Sequence, residues 1–338
     1  MSKAIGLWLL ACSGLVWIIL VTGGVTRLTH SGLSIVEWKP VVGAVPPLGR
    51  AQWEEEFEKY RRTPEYLTVN LGMELKDFQS IYLMEYAHRL LGRVAGLVFV
   101  VPFLYFALTR RLDRPLLPKL VAVAFLWAFQ GALGWYMVAS GLVHEPHVSH
   151  YRLTAHLLTA CLLYAAMLST ALELLRPVEP APAAPGRAWL PALSAALVAL
   201  SLIVIASGGL VAGLHAGLAY NTFPLMDGHW VPPYLLAERP LARNFLDNLT
   251  TVQFDHRALA GLLALAVLAG WLGGLAGGLP RCAMRALHAL AVATAAQVAL
   301  GALTLIYHVP VFLGAAHQGN ALIVLGAALL VRHEASAL

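Results

Sequence analysis

The chain of 338 residues is 59% hydrophobic and only 12% charged, with a mean hydropathy of +0.70. Soluble domains carry about 25% charged residues, so the composition excludes a soluble enzyme and indicates a polytopic membrane protein. The net charge of +5 does not indicate nucleic-acid binding, because excess Lys and Arg in a membrane protein mark its cytoplasmic loops.

Apolar runs that are long enough to cross a membrane as helices follow one another along the chain. The first has no small-residue cleavage site and is therefore a retained span rather than a signal peptide. Lys and Arg are concentrated in alternate connections, which predicts that both termini are cytoplasmic. The eight runs are 5–25, 88–109, 119–140, 153–175, 189–212, 256–278, 283–306 and 314–331.

The two halves of the chain repeat the same short motifs in the same order, which indicates an internal duplication. We therefore predict an all-α membrane protein of eight transmembrane helices in two pseudo-symmetric four-helix bundles. The N-terminal half is 1–175, the Pro- and Ala-rich cytoplasmic linker is 176–188, and the C-terminal half is 189–338. The matching motifs are TGGVTRLTHSGL (22–33) with SGGLVAGLHAGL (207–218), AHR (87–89) with DHR (255–257), QGALG (130–134) with QVALG (297–301), and TAHLLTA (154–160) with AAHQGNA (315–321).

Four histidines stand at matching points of the two halves: His88, His156, His256 and His317. By the predicted topology they open the even-numbered spans near the outer surface, so that two in each half face each other across a bundle. Paired neutral imidazoles on facing helices are typical haem-iron ligands. Hydrogen bonding between helices is the alternative, and zinc is disfavoured because neither half offers a third and fourth ligand at close spacing.

Other repeated polar residues surround these positions. Arg89 and Arg257 each follow a candidate ligand and could pair with haem propionates or extend to lipid headgroups. His30 and His215 recur at the outer ends of spans 1 and 5, where they are candidates for the rim of the two pockets.

The halves differ at one position that matters for chemistry, because Glu85 corresponds to Gln253. Glu85 shares a helix face with His88, and the sequence places it in the first turn of its helix, where a carboxylate can act as a cap. In a partly desolvated site it could instead act as a base or stabilise a developing cation. The asymmetry predicts chemistry in the N-terminal half and electron transfer in the other.

Seven stretches together resemble the haem A synthase family, in the branch shared by mitochondria and many proteobacteria. The resemblance spans nearly the whole chain, although the cysteine pairs that some bacterial members carry in their outer loops are absent. The stretches are GGVTRLTHSGLSIVEWKP (23–40), WEEEFEKYRRTPEY (53–66), EYAHRLLGR (85–93), TAH (154–156), NTFPLMDG (221–228), FDHRALAG (254–261) and AAHQGNA (315–321).

The resemblance implies oxidation of the C8 methyl of haem O to a formyl group, giving haem A for cytochrome oxidase. It places the substrate haem on His88 and His156 with Glu85 as the catalytic residue, and one permanent haem b on His256 and His317. The bacterial inner membrane, with haem sites near the periplasmic side, is the implied location. Haem O synthase, cytochrome oxidase assembly factors, an unidentified electron acceptor and a second copy of the chain are the candidate partners.

Two other readings use the same histidines. A di-haem b electron carrier would need no Glu85. A haem transfer or insertion protein would hold haem only as cargo.

Overall fold

The computed structural model describes residues 2–39, 42–142, 146–177 and 188–336, and within these ranges the fold is all-helical with no β-strand. Short 3-10 turns lie at Val42–Ala44, Ala216–Leu218 and Leu241–Arg243. The eleven α-helices are α1 (Ser2–Leu28), α2 (Arg50–Tyr60), α3 (Pro64–Thr68), α4 (Leu75–Leu108), α5 (Leu116–Gly141), α6 (His150–Leu175), α7 (Trp189–Gly213), α8 (Asn244–Asp247), α9 (Leu249–Ala276), α10 (Arg281–Ile306) and α11 (Val311–Ala335).

Eight of these helices are long and apolar enough to cross a membrane, which confirms the eight predicted spans. They are α1, α4, α5, α6, α7, α9, α10 and α11.

Most spanning helices begin within three residues of the predicted apolar runs, but two begin much earlier. Helix α4 starts at Leu75 instead of residue 88, and α9 starts at Leu249 instead of residue 256. The added turns of α4 bury Phe78 and Tyr82 against the preceding loop, so packing on the loop extends the helix beyond its apolar run. At α9 the Asn248 side chain accepts hydrogen bonds from the next backbone amides and caps the helix start.

The chain divides into two compact units that cut through α1 and α6. We call Ile18–Thr159 the N-terminal unit, and Met1–Trp17 with Ala160–Leu338 the C-terminal unit. The predicted linker 176–188 lies largely outside the described residues. The division into two pseudo-symmetric bundles and the cytoplasmic position of the termini stay predictions.

In the C-terminal unit, four long helices form a closed ring. Helix α10 packs on α9 and α11, and α7 packs on the same two helices. Their shared core contains buried leucines from three of the helices, such as Leu197, Leu263 and Leu290. The ring therefore has the arrangement of a four-helix bundle, whose interior is a common place for a cofactor.

In the N-terminal unit, the loop between α1 and α4 folds onto the start of α4. Helices α2 and α3 contribute Tyr60 and Tyr66 to a buried aromatic cluster with Phe78 and Tyr82, and Ile35 joins them. The Tyr60 and Phe78 rings stack with centroids 5.2 Å apart. Residues 50–68, which contain α2 and α3, therefore form a folded cap on the start of α4. On the outer face of this cap, Lys59 pairs with glutamates such as Glu56.

Candidate active site

Each of the four predicted ligand histidines packs against a glycine on a neighbouring helix. A Cβ atom added at Gly23 would lie 2.8 Å from Cε1 of His88, closer than any real Cβ contact. The same relation repeats in both units, and an added Cβ atom would crowd the histidine ring at all four positions, most severely at Gly23 and Gly301. The other pairs are Gly134 with His156 at 3.1 Å, Gly208 with His256 at 3.1 Å, and Gly301 with His317 at 2.9 Å.

The two histidines of the C-terminal unit face each other closely. The ring centroids of His256 and His317 are 6.4 Å apart, with an interplanar angle of 82°. Two imidazoles whose nitrogens each lie about 2 Å from one shared metal ion require centroids roughly 6 Å apart. In the N-terminal unit, His88 and His156 pack on glycines in the same way.

These histidines offer ring nitrogens that haem iron could bind. Nε2 of His156 and Nε2 of His317 each lie 3.4 Å from a glutamine Nε2, which is too long for a strong hydrogen bond, so both nitrogens are available to iron. Nδ1 of His256 contacts Ser207 Oγ at 2.8 Å. Within the described residues, no group of three or more His, Cys, Asp or Glu side chains converges. The donor sets are therefore pairs of imidazoles, as a haem requires.

Glu85 is buried, with only 2% of its surface exposed, and is held by three neighbouring groups. Its Oε2 accepts hydrogen bonds from Ser34 Oγ at 2.6 Å and from the Ile35 amide at 2.9 Å. Its Oε1 accepts one from Arg89 Nη2 at 2.5 Å. Every one of these neighbours is a donor, and a carboxylate that receives charge-assisted bonds is held firmly in one orientation. Glu85 is thus a buried carboxylate held in one orientation, three residues before His88 on the same helix.

The expectation that Glu85 lies in the first turn of its helix is wrong. Helix α4 begins at Leu75, so Glu85 lies in the third turn and has no orphan amide of its own helix to cap. His88 likewise does not open the helix but lies fourteen residues into it, counting Leu75 as the first.

The two arginines make different contacts in the two units. Arg89 also donates to the Ile35 carbonyl at 3.0 Å, so it ties Glu85 to the segment after α1. Arg257 donates instead to loop carbonyls, including those of Tyr220 and Thr222, each at 2.9 Å. Neither arginine extends away from the protein, although contact with propionates stays a prediction for both.

Gln253, which corresponds to Glu85, donates to the Tyr220 carbonyl at 3.1 Å, and its buried Oε1 has no hydrogen-bond partner in the part of the chain that the structure describes. The C-terminal unit therefore has no fixed carboxylate at this point. His30 and His215 occupy equivalent places just after α1 and α7, both exposed and both with a left-handed backbone, at φ 51° and 54°. Their role at the rim stays a prediction.

Sequence reasoning missed two groups of contacts. Ser34 and Ile35 are separated from Glu85 by about fifty residues, and no pattern in the chain indicates that they bind it. Gln130 and Gln297 were noted only as parts of a repeat, yet Nε2 of each lies 3.4 Å from Nε2 of His156 and His317 respectively. The repeat QxALG is the signal that could have identified them, because its Gln and Gly contact the same histidine.

Comparison with known proteins identifies the family of the chain. The model of the cytochrome oxidase assembly protein family matches residues 6–329. The haem A synthase of Nitrosospira multiformis is 54% identical over 98% of this chain and 94% of its own length. The corresponding proteins of Nitrosomonas eutropha and Parvibaculum lavamentivorans are 48% and 46% identical, each over 98% of this chain and 94% of their own length. The chain belongs to the cytochrome oxidase assembly protein family.

Proposed function

We propose that this integral membrane protein is a haem A synthase, an oxidoreductase that converts the C8 methyl of haem O into the formyl group of haem A. The similarity to haem A synthases extends over 98% of the chain, so the aligned region spans the segments in which both histidine pairs and Glu85 lie. The single structural observation that supports the proposal best is the buried carboxylate of Glu85 beside only one of two otherwise similar imidazole pairs.

The substrate haem is assigned to His88 and His156 of the N-terminal unit. A resident haem b is assigned to His256 and His317, whose ring separation of 6.4 Å fits a shared iron. Bound there, the haem would accept electrons and pass them on. The packing of each ring on a glycine fixes where the imidazole points, and this positions the ligands before haem enters.

The reaction proceeds in two oxidations of two electrons each. With water as the oxygen source, R–CH3 + H2O gives R–CH2OH + 2H⁺ + 2e⁻, and R–CH2OH then gives R–CHO + 2H⁺ + 2e⁻. Positive charge develops on the substrate as electrons leave, and Glu85 supplies a fixed, desolvated negative charge. Because its oxygens are already engaged by three donors, stabilisation of the cation suits Glu85 better than proton abstraction.

Dioxygen is the alternative source of oxygen, and isotope labelling distinguishes the two. Label from water and none from dioxygen in the trapped hydroxymethyl intermediate supports the route above, and the reverse result contradicts it. The intermediate must be analysed rather than the product, since a formyl oxygen exchanges with water.

Location and partners follow from the same assignment. We place the protein in the bacterial inner membrane with both haem sites near the periplasmic side. Its partners are haem O synthase as donor, cytochrome oxidase assembly factors as acceptors, and an electron acceptor of unassigned identity, and a second copy of the chain is a further candidate.

Haem analysis of the purified protein tests the proposal. The protein is made in cells that also make haem O, and its haems are extracted and separated with mass detection. Haem B together with haem O, its hydroxylated form or haem A supports one resident and one processed haem. Haem B alone, at two per chain, supports a di-haem electron carrier, which the shared histidine–glycine geometry of the two units also permits.

Glu85→Gln separates catalysis from binding. The variant keeps the shape of the side chain but loses its charge, so we expect unchanged haem B content and no haem A. Unchanged haem A formation would remove Glu85 from the mechanism. If the wild-type protein, like the variant, binds haem O and passes it on without oxidising it, the result favours a haem transfer protein.

A further inference from the structure

Two glutamines occupy the same place in the two units but differ in how they are held. Gln297 is fixed on both ends of its amide: Nε2 donates to the His317 carbonyl at 3.0 Å, and Oε1 accepts from Asn320 Nδ2 at 2.8 Å. Gln130 contacts His156 Nε2 at 3.4 Å through its own Nε2. Its carbonyl oxygen is buried and has no hydrogen-bond partner among the described residues.

The difference has a simple origin in the sequence. Asn320, three residues after His317, is the residue that fixes Gln297, and Thr159 stands three residues after His156. Residues three apart share a helix face, but Thr159 carries a hydroxyl in place of the amide of Asn, and this hydroxyl does not donate to the Gln130 carbonyl. The carbonyl of Gln130 is therefore left without the partner that its counterpart has.

Iron ligation would increase the contrast. An imidazole nitrogen that binds iron cannot also accept a hydrogen bond, so Gln130 would lose its contact with His156 Nε2. Gln297 would still be held by the His317 carbonyl and Asn320. Of these two glutamines, only Gln130 can then turn its amide toward a ligand.

We propose that Gln130 accepts a hydrogen bond from an O–H group in the substrate pocket, carried by the hydroxymethyl form of the substrate or by a water molecule beside it. This inference rests on the proposed function. A methyl group offers no hydrogen to a carbonyl oxygen, whereas a hydroxymethyl group does. The hydroxymethyl form of the substrate donates a hydrogen bond to Oε1 of Gln130 and is therefore retained for the second oxidation. Haem O makes no such hydrogen bond and binds no more tightly because of Gln130.

Two variants test the role in opposite ways. Gln130→Leu removes the amide at nearly constant size. Thr159→Asn keeps every atom of Gln130 but adds the donor that Asn320 provides in the other unit, so it occupies the carbonyl without deleting it. Phe129→Leu, at an exposed neighbouring position of α5, is the matched control.

Each protein is purified, and its bound haem O, hydroxylated haem, haem A and haem B are measured with its melting temperature. Binding of purified hydroxylated haem and of haem O is then titrated without an electron acceptor. If the substrate carries the O–H group, both variants lose the preference for hydroxylated haem by roughly ten-fold, the change that about 1.4 kcal/mol gives. Both also release hydroxylated haem into the membrane, with haem B content unchanged.

If water carries the O–H group, both variants accumulate haem O, and the ratio of hydroxylated haem to haem A stays at the wild-type value. Either pattern supports the inference and identifies the source of the hydrogen. Wild-type haem composition and wild-type affinities in Thr159→Asn overturn it, even if Gln130→Leu is poorly folded. Wild-type protein that contains haem B alone refutes the proposed function itself, and this inference with it.

Discussion

Gly23→Ala should empty the substrate site while leaving the resident haem in place. The new Cβ would lie 2.8 Å from Cε1 and 3.3 Å from Nδ1 of His88, whereas carbon atoms pack at about 3.5–4.0 Å. The ring must therefore move by roughly 0.7 Å or more, which exceeds the tolerance of about 0.2 Å in a metal–ligand distance. Overpacking of this kind costs about 1–3 kcal/mol, or roughly a 5- to 150-fold loss of affinity for the substrate haem.

The assay is the haem composition of purified protein, with haem B as the internal standard. Gly301→Ala should give the reverse result, because its Cβ would lie 2.9 Å from Cε1 of His317 in the C-terminal unit. Gly14→Ala in α1 is the control, since nothing lies within 4 Å of its added Cβ, and alanine favours the helix by about 0.5–1 kcal/mol. Full haem O and haem A content in Gly23→Ala, at wild-type stability, would refute the argument that the glycine positions His88.

Two further changes probe the cap and its link to Glu85. Ser34→Ala removes one of the two donors to Glu85 Oε2 and should lower the free energy of unfolding by about 1.5–3 kcal/mol. Thermal unfolding should show a smaller loss when the same change is made in the Glu85→Gln variant. Equal losses in the two backgrounds would mean that the Ser34 hydroxyl does not act through Glu85. Burial raises the pKa of Glu65 in α3 to about 7 despite its hydrogen bond from Tyr60. The folded protein therefore binds the proton more tightly than the unfolded chain, and stability should fall by about 3 kcal/mol as the pH rises from about 4.5 through 7. Glu65→Gln should flatten that part of the pH profile of the melting temperature, and an unchanged slope would assign the dependence to another group.

The sequence alone was sufficient for the number of spans and for the matching positions of the four histidines in the two halves, because both are local patterns; the role of the histidines as haem ligands stays a prediction. Hydrophobic runs fix where helices cross, and the duplication marks which polar residues recur. The duplication also shows that the glycines recur, but it does not indicate what they contact. Gly23 and Gly134 lie in the repeated TGGV and QGALG motifs, and the structure shows that each is the surface on which a histidine ring rests.

The start of α4 and the surroundings of Glu85 could not be predicted in this way. Residues 75–87 are too polar for a membrane run, and they become helical by packing aromatic side chains on a loop that is distant in sequence. The contacts of Ser34 and Ile35 with Glu85 arise from the same packing, so no local periodicity encodes them. The pairing of Arg89 with Glu85 is different, since the spacing of four residues on one helix is a signal that sequence reasoning could have used.

The two units thus share their histidine–glycine pairs and differ in the polar side chains near them. These differences agree with the proposed assignment of catalysis to the N-terminal unit and electron transfer to the C-terminal unit. A resident electron carrier keeps the same structure through every turnover, and its neighbours Gln253 and Gln297 are neutral, the latter fixed by Asn320. A substrate haem changes at one carbon from methyl to hydroxymethyl to formyl. Its site offers a fixed charge at Glu85 for the oxidation and, at Gln130, a carbonyl whose partner the described residues do not supply. An amide held at both ends, as in Gln297, suits a ligand that stays. Gln253 has an unpartnered carbonyl too, but its amide nitrogen is tied to the Tyr220 carbonyl. The carbonyl of Gln130, whose amide contacts His156 directly, suits a ligand that gains a hydroxyl during the reaction.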